Sequence, residues 1–143
     1  IGTTKTGEIR ESMQKIMQTK CAVFRSEKII NDGIQEFEKL ESSLDNLNIT
    51  DKSMIFNTDL TEALELENLM LQSKATLHSA LNRRESRGAH AREDYTERDD
   101  KNWMVHSLIW IDEKGKIRFG KRPVHMNTLT NHVQSIPPKI RTY

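Results

Sequence analysis

The sequence predicts a mainly α chain: an antiparallel three-helix bundle followed by a small β-hairpin and an extended C-terminal tail. Three observations carry this expectation. Proline is absent before Pro123, and before Gly88 only Gly2, Gly7 and Gly33 interrupt, so the first 86 residues support long helices. Apolar residues in that stretch recur at three- and four-residue steps, the period that gathers them on one helix face. After Lys101 the pattern changes to aromatic and β-branched residues around Asp112-Glu113-Lys114-Gly115, which reads as strand, turn, strand.

Taken in order, a first helix is expected from Glu8 to Phe24, with Ile9, Met13, Ile16, Met17, Val23 and Phe24 as its apolar stripe. Ser26 is placed to cap a second helix, Glu27 suits its first turn, and Ile30, Ile34, Phe37 and Leu44 share a face. Gly33 weakens that helix by roughly 1 kcal/mol relative to Ala. Asp45 to Asn57 reads as a loop. Asp59-Leu60-Thr61-Glu62 matches a variant of the capping box, and apolar residues from Leu60 to Leu81 continue the period for about six turns. Gly88 is the expected stop. Short connections place the helices antiparallel.

The first strand, from Trp103 to Ile111, is apolar on both faces, with Trp103, Val105 and Ile109 on one and Met104, Leu108 and Trp110 on the other. A lone hairpin cannot bury both, so part of it packs on the bundle or on chain outside this sequence. The tail from Arg122 to Tyr143 holds all three prolines and little periodicity. The expected division is a bundle over 1–86, then a charged connector, hairpin and tail over 87–143.

At 143 residues the chain is long enough for one domain, or for a helical unit with an appendage. Charged residues make up 30% and balance almost fully, 22 basic against 21 acidic. A nucleic-acid partner would need clustered uncompensated Lys and Arg, so none is expected. The longest apolar run, Leu108-Ile109-Trp110-Ile111, falls far short of the roughly 20 residues of a membrane span, and no direct membrane insertion is expected. Cys21 is the only cysteine, which excludes an internal disulfide. The start at Ile1 suggests a piece of a longer chain.

Chemistry-bearing residues concentrate between Arg83 and Lys101, where six basic and six acidic residues leave only Ala89, Ala91 and Tyr95 apolar. Such a stretch is expected outside the core, where it is solvated, internally paired or docked on something polar. His90, beside Arg87, Arg92, Glu93 and Asp94, has the surroundings of a general acid or base, and equally of a structural charge network. His78, His90, His106, His125 and His132 lack metal-type spacing. Cys21 lies among apolar neighbours and reads as a small core residue. All six glycines are isolated, so no phosphate-cradling turn is present. Catalytic, cofactor-binding and metal residues are accordingly expected to be none.

The run Glu85-Ser86-Arg87-Gly88-Ala89-His90-Ala91-Arg92-Glu93-Asp94-Tyr95, then Arg98-Asp99-Asp100-Lys101-Asn102-Trp103 and His106, resembles the C-terminal region of the succinate dehydrogenase and fumarate reductase flavoproteins. The resemblance extends upstream through Met13-Gln14-Lys15 and Ala22-Val23-Phe24-Arg25. It extends downstream through Arg122-Pro123-Val124-His125 to Pro137-Pro138-Lys139-Ile140-Arg141-Thr142-Tyr143, an ending that favours succinate dehydrogenase. Thr96 departs from the pattern, since many members carry Pro there.

The resemblance implies a subunit that oxidises succinate to fumarate on FAD and passes electrons through an iron-sulfur subunit to quinone. It implies a peripheral site on the mitochondrial matrix face or on the cytoplasmic face of the bacterial inner membrane. It also implies that FAD and the catalytic residues reside in the preceding flavin-binding domain, with no cofactor in this stretch. Arg84, Glu85, Arg87, His90, Arg92, Glu93 and Asp94 are the expected latch between this helical domain and the flavin-binding domain or the iron-sulfur subunit. The rival expectation is a free-standing three-helix interaction module.

Overall fold

A computed structural model describes residues 2–139 of the chain. Its elements, in order, are β1 (Thr4–Lys5), α1 (Thr6–Lys20), α2 (Glu27–Glu41), a 3-10 turn (Ser42–Asn46), β2 (Leu47–Asn48), α3 (Thr58–Asn82), α4 (Asp100–Trp103), β3 (Val105–Ile111) and β4 (Ile117–Pro123). The chain is therefore mainly α with a small antiparallel hairpin.

The three long helices each pack against the other two. Their shared core follows the predicted stripes: Ile9, Met13 and Ile16 from α1, Ile30, Ile34 and Phe37 from α2, and Leu66, Met70, Leu77 and Ala80 from α3. Cys21 is buried with them, and burial raises its thiol pKa against the lowering pull of Arg25, as suits an inert core cysteine. On α3, Leu64, Leu69 and Leu71 stay 40–58% exposed, so its apolar residues are more numerous than the core needs.

Several expected boundaries are corrected. Helix α1 stops at Lys20, and Val23 and Phe24 stand 63% and 72% exposed in the turn beyond it. The chain leaves the helix there because the Arg25 side chain folds back onto its end: Nε donates to the carbonyl of Ala22 at 2.8 Å and Nη2 to that of Cys21 at 2.9 Å. Ser26 caps α2 as expected, its Oγ accepting from the amide of Ile29. The cap of α3 is Asn57 and not Asp59: Asn57 Oδ1 accepts from the Leu60 amide at 2.8 Å. The Asp59 carboxylate instead ties down the preceding loop, accepting from the amides of Thr50 and Asp51.

Helix α3 also ends earlier than expected, at Asn82 with Arg83 as its C-cap. Gly88 lies beyond it, with φ +58°, in a two-residue turn closed by reciprocal bonds between Arg87 and His90. Trp103, expected to open the first strand, belongs to the single turn α4, capped by the Asp99 side chain. A parallel pairing of β1 with β2, which periodicity does not reveal in two-residue strands, fastens Thr4 and Lys5 to Leu47 and Asn48 in the segment between α2 and α3.

The hairpin pairs Val105 with Pro123 through to Ile111 with Ile117. Asp112 closes its turn by accepting from the amides of Lys114 and Lys116 through one carboxylate oxygen, and Gly115 takes φ +76°. Strand β3 lies on α3. On the opposite face, Trp110 stacks with Arg118 at 3.8 Å and remains 43% exposed. Val124 to Lys139 runs without helix or strand and is almost wholly exposed. The last four residues of the Pro-Pro ending, 140–143, lie outside the described residues.

Candidate functional site

The connector between α3 and the hairpin is built on hydrogen bonds, since its residues offer few apolar groups. Ser86 closes it into a loop: its amide donates to the carbonyl of Glu97 at 3.1 Å, and its hydroxyl donates to that of Tyr95 at 2.8 Å while accepting from the amide of Arg92 at 2.8 Å. That closure turns Glu85 and Arg92 inward, and both are buried, at 0% and 2% exposure. The expectation that no part of this stretch enters the core is therefore corrected at two charged positions.

Arg92 lies across the end of α3. Its Nη1 donates to the carbonyls of Ala80, Leu81 and Arg83 at 3.0, 3.1 and 3.3 Å, which satisfies groups that any helix leaves orphaned at its C-terminus. The cation also faces the negative end of the helix dipole. Its Nε and Nη2 grip both oxygens of Asp94, at 2.7 and 2.8 Å. Asp94 Oδ2 in turn accepts from the amide of Glu27 at 2.7 Å, at the positive start of α2. One bidentate ion pair thus joins the C-terminus of α3 to the N-terminus of α2, with each charge at the helix end that favours it. The hydrogen bonds from Arg92, then that from Glu27, hold the Asp94 carboxyl down to a pKa of about 2 against the opposing effect of burial.

His90 makes the third connection. Arg25 Nη1 lies 2.8 Å from His90 Nδ1, and His90 Nε2 lies 3.0 Å from the carbonyl of Arg83. A guanidinium only donates, so Nδ1 accepts and the single imidazole proton sits on Nε2. Burial, and then the cations Arg25, Arg92 and Arg83, push the His90 pKa down against the hydrogen bond to the Arg83 carbonyl, which keeps the ring neutral. The amide of Glu93 donates to the Arg25 carbonyl at 2.7 Å beside it. The connector therefore reaches the ends of all three long helices.

Glu85 anchors the hairpin side. Arg83 Nε donates to Oε1 at 2.9 Å, Arg87 donates to both oxygens at 2.9 and 3.1 Å, and the Asp99 amide donates to Oε2 at 2.9 Å. Burial opposes ionisation most strongly, yet the combined bonds from Arg87, Asp99 and Arg83 win and lower the pKa. Arg83 extends onward to the carbonyls of Val105 and Trp103 and to Ser107 Oγ, while Arg87 also pairs with Asp100 at 2.6 Å. Asp100 holds Arg98, whose Nη1 donates to the carbonyl of Lys139 in the tail.

Of the seven expected latch residues, Glu85, Arg87, His90, Arg92 and Asp94 meet within this chain. Arg84 and Glu93 are exposed, and among the described residues neither has an ion-pair partner. Sequence reasoning missed Arg25, Arg83, Ser86, Asp99 and Asp100. The spacing of Arg83, Glu85 and Arg87 at every second residue was the available signal for part of this set.

No group of three metal-ligating side chains occurs among the described residues, and His90 has both ring nitrogens committed. The start of α2, where a phosphate would otherwise find free amides, is filled by Asp94.

Fold and connector together define a helical domain with an appended hairpin, locked at one end by ion pairs built on the buried Glu85 and Arg92. The family described as fumarate reductase flavoprotein C-term matches residues 10–143. The mitochondrial succinate dehydrogenase [ubiquinone] flavoprotein subunit of Oryza sativa subsp. japonica is 50% identical over 143 residues, covering 99% of this chain and 22% of its own length. The succinate dehydrogenase flavoprotein subunit of Rickettsia bellii is 44% identical over 142 residues, covering 99% and 24%. A solved quinol fumarate reductase of E. coli superposes with a TM-score of 0.85 at 35% identity, over 90% of this chain and 22% of that one. The chain belongs to the C-terminal family of succinate dehydrogenase and fumarate reductase flavoproteins. It spans about a quarter of the length of the curated relatives it matches.

Proposed function

We propose that this chain is the C-terminal helical domain of a succinate dehydrogenase flavoprotein subunit, with a docking role and no catalytic residue of its own. The observation that carries the reading is the 50% identity to one such subunit across 99% of the chain. In the whole subunit, FAD takes hydride from succinate and electrons leave through an iron-sulfur subunit to quinone. On this reading FAD sits in the preceding flavin-binding domain, whose glycine-rich turn this sequence does not contain.

The three mutually packed helices act as an antiparallel bundle, and the connector and hairpin, residues 87–123, pack against it. Arg25, Arg83, Glu85, Arg87, His90, Arg92 and Asp94 hold that end in one shape. Arg84 and Glu93, with the Gly88-Ala89 turn between them, then form the outward face of the latch toward the flavin-binding domain or the iron-sulfur subunit. The assembly sits peripherally on the matrix face of the mitochondrial membrane or the cytoplasmic face of the bacterial inner membrane, and no helix of the described residues is long and apolar enough to cross it.

The test is charge reversal at the two exposed positions, Arg84→Glu with Glu93→Arg, in the full-length subunit. Exposed substitutions change folding stability by within about 0.5 kcal/mol. Co-purification of the iron-sulfur subunit, or protease resistance of the link to the flavin domain, should fall while the melting temperature of the isolated chain holds. Unchanged assembly would overturn the outward role of these two residues.

A further inference from the structure

A groove of about 600 Å3 opens where the end of α2, the middle of α3 and the hairpin tip converge. Its floor is apolar: Met70 is buried, Leu44 and Ile111 are half-buried, and Leu71 is 47% exposed. Its rim is acidic, with the exposed carboxylates of Asp45, Glu67 and Glu113. Lys74, the one cation lining the groove, is already committed to Glu41, 2.8 and 3.1 Å from its two oxygens. Among the described residues no cation lies within ion-pairing distance of the three rim carboxylates. From Lys74 to the end of α3 at Asn82 is about 12 Å of helix, at 1.5 Å per residue, so the groove is separate from the latch.

We propose that this groove receives a polypeptide segment of another chain in which Lys or Arg side chains flank an apolar anchor. The anchor would fill the floor and cover Leu71, removing apolar surface from water, while the flanking cations meet the rim. The same rim repels a nucleic-acid backbone or an anionic lipid headgroup, so charge complementarity selects a basic peptide over either. The groove is a docking surface additional to the latch, and its occupancy does not depend on that reading.

The test titrates the isotopically labelled chain with a ten-residue peptide alternating Leu and Arg, and with matched peptides carrying Ser for Leu or Glu for Arg. The expected result is amide shifts confined to the residues around Leu44, Leu71 and Ile111, with affinity at least tenfold above the Ser peptide and no binding of the Glu peptide. Glu67→Lys with Glu113→Lys, and separately Leu71→Ser, should each weaken binding about tenfold without changing the melting temperature, because all three side chains are exposed. Equal affinity for the Ser peptide, shifts elsewhere, or unchanged binding by the variants would overturn the proposal. Self-association abolished by Glu67→Lys would assign the groove to a second copy and overturn it equally. Failure here with intact subunit assembly refutes the groove alone, whereas lost assembly with intact peptide binding refutes the latch alone.

Discussion

Arg92 binds three carbonyls at the end of α3 and both oxygens of a carboxylate that caps α2. Removing it orphans two helix ends at once. Leaving a buried carbonyl without its donor costs about 1–3 kcal/mol, and Arg92 serves three of them. Arg92→Ala should therefore lower the melting temperature of the isolated chain by roughly 10 °C, read by circular dichroism. A change as small as that of an exposed arginine would refute the role assigned to this side chain. His90 sets a pH dependence of definite sign. Its pKa is held below the ordinary 6.5, so the unfolded chain binds this proton more readily than the folded one. Stability from His90 is present above pH 6.5 and is lost as pH falls through the folded value. Between pH 7.5 and 5.5 the native chain should lose more melting temperature than His90→Gln, and parallel losses would contradict the assignment. Asp94 acts in the same direction at lower pH, with its contribution lost between its ordinary 3.8 and about 2.

At the scale of elements, Gly33 separates helix propensity from packing. In isolation α2 would gain roughly 1 kcal/mol from Ala at this position. A Cβ there would lie 2.6 Å from the Cβ of Lys20, so the glycine is what lets α1 and α2 approach. Gly33→Ala should destabilise the chain by about 1–3 kcal/mol, the usual cost of overpacking, in a denaturant melt; a gain in stability would show that α1 can yield there. The helices and the hairpin were legible because their periods are local, and the predicted stripes supplied the core of α1, α2 and α3. Their ends were not. Val23 and Phe24 continue the apolar stripe of α1 in sequence, but the helix stops where Arg25 folds back to cap it, a choice made with His90 65 residues away. Asp59 and Gly88 looked like start and stop signals for α3, yet Asn57 caps the start and Arg92 covers the finish. The latch cluster was legible as a set of charges. Its pairing was not, because the bond from Glu27 to Asp94 spans 67 positions. Nor was the burial of Glu85, since composition alone puts charges outside.

At the scale of the whole molecule, near-neutral net charge conceals an uneven distribution. From Lys114 to His125 there are five Lys or Arg and no carboxylate, while the adjoining groove is lined by Asp45, Glu67, Asp112 and Glu113. The chain also leaves Val23, Phe24, Leu71 and Trp110 exposed. The proposed role of the chain is to complete a flavoprotein by docking. The most direct measurement is succinate-to-dye electron transfer by the matching flavoprotein truncated just before the residue aligned with Ile1, with and without this chain supplied in trans. Restored activity or iron-sulfur subunit assembly, abolished by Arg84→Glu with Glu93→Arg, is the predicted result. No restoration by a chain shown to be folded would contradict it.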